Sequence, residues 1–275
     1  MATNPLHKYF RQPKVFIKLP SGGIYSRPGN VQGDVNQLPI YGMTGMDEII
    51  MKTPDSLLSG ASTAQVISSC CPNIKDPWDI SIVDITMILS AIRIATFGST
   101  MQVTNKCIKC ATENEYDLDL NRIIEHYMTC NYEDTVVLTD LVIKLRPLNY
   151  KTSTEFNIVN FQLQQKMAQA DSMEAGEEKQ KVTSDLFNQL ANLQTEIFKS
   201  IIDSIDIGSQ VVTDRSFIDE WITNCDKNVF DSIKEVNQKN NKEWAIPPFQ
   251  VTCDNCQHET NLSVEMDESN FFVSA

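Results

Sequence analysis

The chain has 275 residues, 41% hydrophobic and 21% charged, with a mean hydropathy of −0.24. That is about twice the ~150 residues of a usual domain, and it excludes a collagenous, disordered or membrane-spanning chain. The net charge of −13, from 23 Lys+Arg against 36 Asp+Glu, argues against DNA or RNA as the main ligand, because it withholds the broad basic surface that releases counterions.

The first residues lack the apolar core and small-residue cleavage site of a signal peptide, and no run reaches the ~18 apolar residues of a spanning helix. The chain is therefore expected to stay in the cytoplasm where it is made, a reducing compartment in which paired cysteines point to metal or redox chemistry rather than to disulfides. Residues 1–33 carry Lys8, Arg11, Lys14, Lys18 and Arg27 and no acid. Within them Lys14 to Leu19 has strand composition, Pro20-Ser-Gly-Gly23 stops it, and Ile24-Tyr25 is expected to restart it. We read residues 1–43 as a basic arm with short strands. Its expected partner-binding residues are Lys14, Phe16, Lys18, Tyr25 and Arg27, drawn to acidic surfaces and ordered against a neighbouring subunit.

From Thr44 the period becomes helical. Thr44-x-x-Asp47 has the form of a helix cap, Pro54 breaks that helix, and Asp55 to Leu58 opens a short turn closed at Gly60. A further helix is predicted from Ser62 to Cys71, stopped by Pro72. The apolar period of Ile82, Ile85, Ile88, Ile92 and Ala95 predicts a helix over 79–97, with Gly98 at the left-handed position after its end. Residues 136–148 read as a β-hairpin around Thr139-Asp140, with Pro147 suggesting a sheet edge. Two stripes, from Phe156 to Ala170 and from Val182 to Ile201, predict a pair of long antiparallel helices. Shorter helices are predicted at 216–224, capped by Ser216, and at 227–238, with the polar run 237–242 as a loop.

The strongest signal is Cys107-Ile-Lys-Cys110 matched by Cys253-Asp-Asn-Cys256. Both segments continue as Cys-x-x-Cys-x-x-Glu-x-x-apolar-x-apolar-x-apolar. Glu113, Tyr116, Leu118 and Leu120 in one copy correspond to Glu259, Leu262, Val264 and Met266 in the other. Gln-Val-Thr precedes each copy. Two such hairpins would bring four thiolates to ~2.3 Å from one ion and close a tetrahedral structural site. A redox motif lacks its usual βαβ setting here, and accidental spacing, a disulfide or two separate ions are weaker readings. Iron suits four thiolates as well as zinc does. The gap between the pairs far exceeds the ~15–20 residues of an ordinary ribbon, so the helical block between them reads as an insertion clasped by the metal.

The expected fold is therefore α+β and predominantly helical, with a split four-cysteine zinc-ribbon-like β element around a large helical insertion. Its parts are the arm at 1–43, a helical region at 44–100, the two halves of the β module at 101–150 and 245–275, and the insertion at 151–244. His258 is a lesser candidate ligand. His126 and Cys130 share a helix face, a weak sign of a thiol nucleophile. Cys70, Cys71, Cys130 and Cys225 otherwise read as small buried residues. No phosphate loop, nucleophile elbow or His-Glu-x-x-His motif is present, so neither an enzyme nor a small-molecule substrate is expected.

Several strings of the first half resemble the baseplate hub protein family of T-even-type contractile-tailed bacteriophages. They are Leu19-Pro-Ser-Gly-Gly-Ile-Tyr25, the run from Asp47 to Gly60 with Pro54-Asp-Ser-Leu-Leu58, Val66-Ile-Ser-Ser-Cys-Cys71, and Asp84 leading to Ala91-Ile-Arg-Ile-Ala-Thr-Phe-Gly98 and the first cysteine pair. The resemblance covers residues 14–120. It implies a non-enzymatic tail component of the virion, made in the host cytoplasm, whose partners are other hub, wedge or tail proteins. A zinc-ribbon adaptor or regulator that binds another protein or nucleic acid is the alternative, and the eight acids against two bases in residues 111–145 argue against its nucleic-acid form.

Overall fold

A computed structural model of the chain describes residues 5–52, 59–174 and 176–264. The predicted turn at 55–58 and Met266 of the second cysteine segment lie outside the described residues. Helices and small sheets of two and four strands make a mixed α and β fold. The chain forms two compact units, one from the residues up to Cys130 together with those from Trp244 onward, the other from Asn131–Glu243.

In the first unit β1 (Pro13–Ile17) pairs antiparallel with β2 (Leu38–Tyr41). The two-residue period turns Ile17 and Leu19 inward with Leu38 and Ile40, while Lys14, Phe16 and Lys18 stay exposed. Residues 13–19 are thus ordered within the unit itself, a correction to the expectation that ordering waits for a partner. Ile24-Tyr25 does not restart a strand. Gly22 and Gly23, at φ of 62° and 75°, turn the chain, and the Ser21 N–H is held 2.9 Å from Asp84 Oδ1, so the segment is tied down as a loop.

Helix α1 (Gly45–Met51) starts with the expected cap. Thr44 Oγ1 accepts from the Asp47 N–H at 3.2 Å while Asp47 Oδ2 accepts from the Thr44 N–H at 2.7 Å. Helix α2 (Ala61–Cys70) follows Gly60, whose φ is 71°. Next comes α3 (Ile82–Phe97), which packs on β1 and β2. It begins later than predicted, because a 3₁₀ turn at Pro77–Asp79 and the cap of Ser81 on Val83 N occupy the preceding residues. Val83, Ile85, Met87, Leu89, Ala91 and Ile92 are all buried. The helix is buried on nearly every face instead of presenting one stripe. Gly42 lets the chain leaving β2 cross it, since a Cβ there would lie 2.8 Å from the Ala95 oxygen. After α3 come β3 (Thr100–Lys106), β4 (Glu113–Asp119) and α4 (Asn121–Thr129). The unit resumes with Trp244, β9 (Phe249–Thr252) and β10 (Glu259–Leu262). Tyr127, 2% exposed, donates its hydroxyl to the Trp244 oxygen at 3.0 Å and stacks on the indole, joining the points where the chain leaves and re-enters the unit.

The second unit holds a four-stranded antiparallel sheet in the order β5 (Thr135–Val137), β6 (Val142–Leu145), β7 (Ile202–Asp206), β8 (Val211–Val212). The predicted hairpin is β5 and β6, but β6 is paired on both sides. Pro147 follows the strand and marks no edge. Because β6 pairs with β7, the hairpin belongs with the inserted unit. The two long helices are α5 (Tyr150–Asp171) and α6 (Glu177–Ile201), packed together around Leu163, Ala170 and Leu186. Helix α7 (Arg215–Asn224) is capped by Asp214, whose carboxylate accepts from Ser216 N at 2.9 Å, and not by Ser216. Helix α8 (Lys227–Glu243) runs through the predicted loop at 237–242. The reason lies across the fold: Asn240 accepts from Glu133 N and donates to Glu133 O, both at 2.9 Å. Ile143, Leu145, Phe198, Ile202, Ile218 and Ile233 form this unit's own core.

Candidate metal centre

The two cysteine pairs stand at the turns of two antiparallel hairpins, β3 with β4 and β9 with β10. The turns are built alike. In the first, Cys107 N donates to Thr112 O at 2.8 Å and Ala111 N to Cys107 O at 2.9 Å; in the second, Cys253 N donates to His258 O and Gln257 N to Cys253 O, both at 2.9 Å. Each turn needs a left-handed residue just after its second cysteine, and these are Ala111 at φ 58° and Gln257 at φ 55°. They are the two non-glycine residues with positive φ among the described residues. A side chain in that region costs on the order of 1 kcal/mol or more, and such strain gathers where a ligand clamp requires it.

The hairpins bring all four sulfurs together. Cys107 Sγ lies 3.7 Å from Cys256 Sγ and Cys110 Sγ 3.6 Å from Cys253 Sγ, and the four ligand atoms lie within 4.8 Å of one another. Sulfurs on a tetrahedron ~2.3 Å from a central ion are about 3.8 Å apart, so the cluster has the dimensions of a four-thiolate site. All four are free thiols, with Cys107 and Cys253 buried and Cys110 and Cys256 half-buried. Hydrogen bonds from Thr112 push Cys110 down to about 5. Cys256 is pushed up to about 12: a backbone hydrogen bond at His258 favours its thiolate, but burial and the three neighbouring cysteines outweigh it. Two residues that the sequence reading missed join the hairpins. Asn114, 4% exposed, donates to Cys253 Sγ at 3.5 Å and accepts from Asp254 N at 3.1 Å. Thr112 Oγ1 lies 3.3 Å from Cys110 Sγ and accepts from Asn255 Nδ2 at 3.0 Å. Their signal was the point where the matched segments diverge, Thr112 and Asn114 in one copy against His258 and Thr260 in the other.

Other candidates distribute as follows. Lys14, Phe16 and Lys18 share the exposed face of β1, with Phe16 61% exposed. Tyr25 and Arg27 lie in the following loop. Arg27 is engaged within the unit, its N–H 2.7 Å from Asp79 Oδ2 and its Nη2 2.6 Å from Asp76 Oδ2. Cys130 Sγ meets His126 Nε2 at 3.4 Å and the His126 oxygen at 3.4 Å, as their spacing predicted. Burial pushes Cys70 up to about 11 and Cys71 up to about 12, which keeps these thiols protonated and inert. No helix among the described residues is long and apolar enough to cross a membrane.

Fold and site together define a chain in which a four-cysteine cluster, assembled from two distant segments, could bind a metal in a unit interrupted by a helical and β insertion. A family model described as T4 bacteriophage base plate protein matches residues 34–273. The chain belongs to that family, and with it to the structural components of phage tails. No curated protein and no solved structure matches it. The matched span takes in both units and all four clustered cysteines, whereas β1 precedes it.

Proposed function

We propose that this protein is a non-enzymatic component of the central hub of the phage baseplate, made in the host cytoplasm, and that Cys107, Cys110, Cys253 and Cys256 hold one structural zinc ion in it. The observation that carries the metal reading is the pair of identically hydrogen-bonded cysteine turns, each with its left-handed residue, converging on one cluster of sulfurs. With four protein ligands the coordination is closed, so the ion would clasp the two segments of the first unit around the insertion and offer no open position for chemistry. Docking to neighbouring hub or wedge subunits is assigned to the outward face of β1, Lys14, Phe16 and Lys18, together with Tyr25 and Arg27 of the following loop. Metal analysis of the protein purified without chelator tests the zinc, with one equivalent expected and a metal-free folded protein refuting it. Co-purification with separately produced hub and wedge subunits tests the assembly role. Binding to wedge subunits alone would refute the hub assignment.

A further inference from the structure

Four thiolates around a divalent ion form a net dianion, here within a chain that is itself acidic, so the site needs hydrogen-bond donors aimed at sulfur. Asn114 is placed for that task. It sits on β4 at the second position past Thr112, and the residue is 4% exposed. Its Nδ2 donates to Thr112 O at 3.0 Å and to Cys253 Sγ at 3.5 Å, while its Oδ1 accepts from Asp254 N at 3.1 Å. Acceptors on one side and a backbone N–H on the other leave only one orientation for the amide. One end is held by its own hairpin, and the other reaches both a ligand sulfur and the backbone beside it on the opposite hairpin.

We propose that Asn114 is the positioning residue of the metal centre: it neutralises part of the charge on the Cys253 thiolate and locks the second cysteine turn onto the first. This inference rests on the metal reading above. Asn114 does not touch the ion; it acts through Cys253. The donor to Cys253 Sγ and the acceptor for Asp254 N together explain why an uncharged amide stands there. An aspartate would keep the acceptor but set a carboxylate against a thiolate, and a leucine would keep the volume but take both the donor from Cys253 Sγ and the acceptor from the Asp254 N–H.

Two experiments on the full-length protein test it. In the wild-type chain loaded with NMR-active cadmium, the side-chain amide protons of Asn114 should show scalar coupling to the metal through the N–H···S–Cd path. Loaded protein with no such coupling overturns the proposal and needs no variant to fold. With Co²⁺, Asn114→Asp should bind about 10–100-fold more weakly, the usual cost of losing an outer-shell partner. Its sulfur-to-cobalt charge-transfer band should move to lower energy as the sulfur loses its donor. A merely structural role would weaken folding but leave that band in place, so an unmoved band in folded, loaded Asn114→Asp also overturns the proposal. A wild-type chain that takes up neither Co²⁺ nor Cd²⁺ would instead refute the metal reading on which the proposal stands.

Discussion

Asp84, with none of its surface exposed, accepts the Ser21 N–H at 2.9 Å and also the Ser21 hydroxyl, holding the turn after β1 against the start of α3. Burial pushes its carboxyl from 3.8 up to about 6, although the Ser21 hydrogen bonds pull the other way. The folded state therefore keeps a proton that the unfolded chain releases. Stability from this group is fully present below about pH 4 and declines as pH rises to about 6, levelling off above. Two pH units correspond to about 3 kcal/mol. An asparagine in its place would accept from Ser21 N and donate to Ser21 Oγ, without titrating. Asp84→Asn should therefore gain up to about 3 kcal/mol relative to wild type between pH 4 and pH 7, read from urea unfolding followed by exchange of the α3 amides. A difference independent of pH would remove Asp84 as the titrating group.

Arg11 is the cross-piece of the first unit. Its Nη1 donates to Gly42 O at 2.5 Å, its Nη2 donates to Ser69 O at 2.6 Å and Ser69 Oγ at 2.8 Å, and Asp47 Oδ2 lies 3.4 Å away. The planar fork reaches the end of β2, α1 and α2 at once, which a lysine ammonium cannot do. Arg11→Ala should cost about 2–4 kcal/mol, because the 4% exposed Asp47 loses its cation. Arg11→Lys should recover less than half of it. Full recovery by lysine in thermal unfolding would show that charge alone matters.

Much of this architecture was legible because its signals are local. A cysteine turn is set by a handful of consecutive residues, so the hairpins and the four cysteines that cluster between them could be read directly. The cap at Thr44 and the paired helices α5 and α6 follow for the same reason. What escaped was decided across the chain. Ile202-Asp-Ser-Ile-Asp206 continues the stripe of α6 and becomes β7 only because β6 is there to pair with it. The polar run 237–242 is helical because Asn240 closes on Glu133. Ile24-Tyr25 is a loop because Ser21 finds Asp84, 63 residues away. The pairing of Arg27 with Asp76 and Asp79 was hidden because those acids are distant in sequence. At the cysteine cluster the period exposed the four cysteines and hid Asn114, whose contacts to Cys253 Sγ and Asp254 N reach across to the other hairpin.

Loss of a ligand should act on one unit. The second unit has its own core, and its ends are tied by Asn131 N donating to Glu243 Oε1 at 2.8 Å and by the Asn240 contacts to Glu133. Cys253→Ser or a strong chelator should therefore lower the stability of the first unit by several kcal/mol, because metal binding and folding are coupled. Exchange protection in α5, α6 and β7 should change little. Hydrogen exchange resolves the two, and equal loss of protection in both units would mean that the clasp holds the insertion as well.

The outward face of β1 provides the last prediction. Lys14 and Lys18 flank Phe16 at two-residue intervals, all exposed, in a stretch of residues 1–33 that has no acid, while the whole chain is at −13. Such a face attracts an acidic partner over a Debye length, and the aromatic ring then supplies a contact that excludes water. Removing the segment would be a poor test, since Ile17 and Leu19 on the same strand are buried. Surface substitutions avoid that. Lys14→Glu with Lys18→Glu should leave the melting temperature within a degree or two, because exposed charges contribute little to stability. They should slow association with hub subunits about tenfold or more at low salt and less at high salt. Phe16→Ala should instead speed dissociation, costing about 1–2 kcal/mol independently of salt. Surface plasmon resonance at two salt concentrations separates these effects. Unchanged rates in both variants would move the docking surface away from β1.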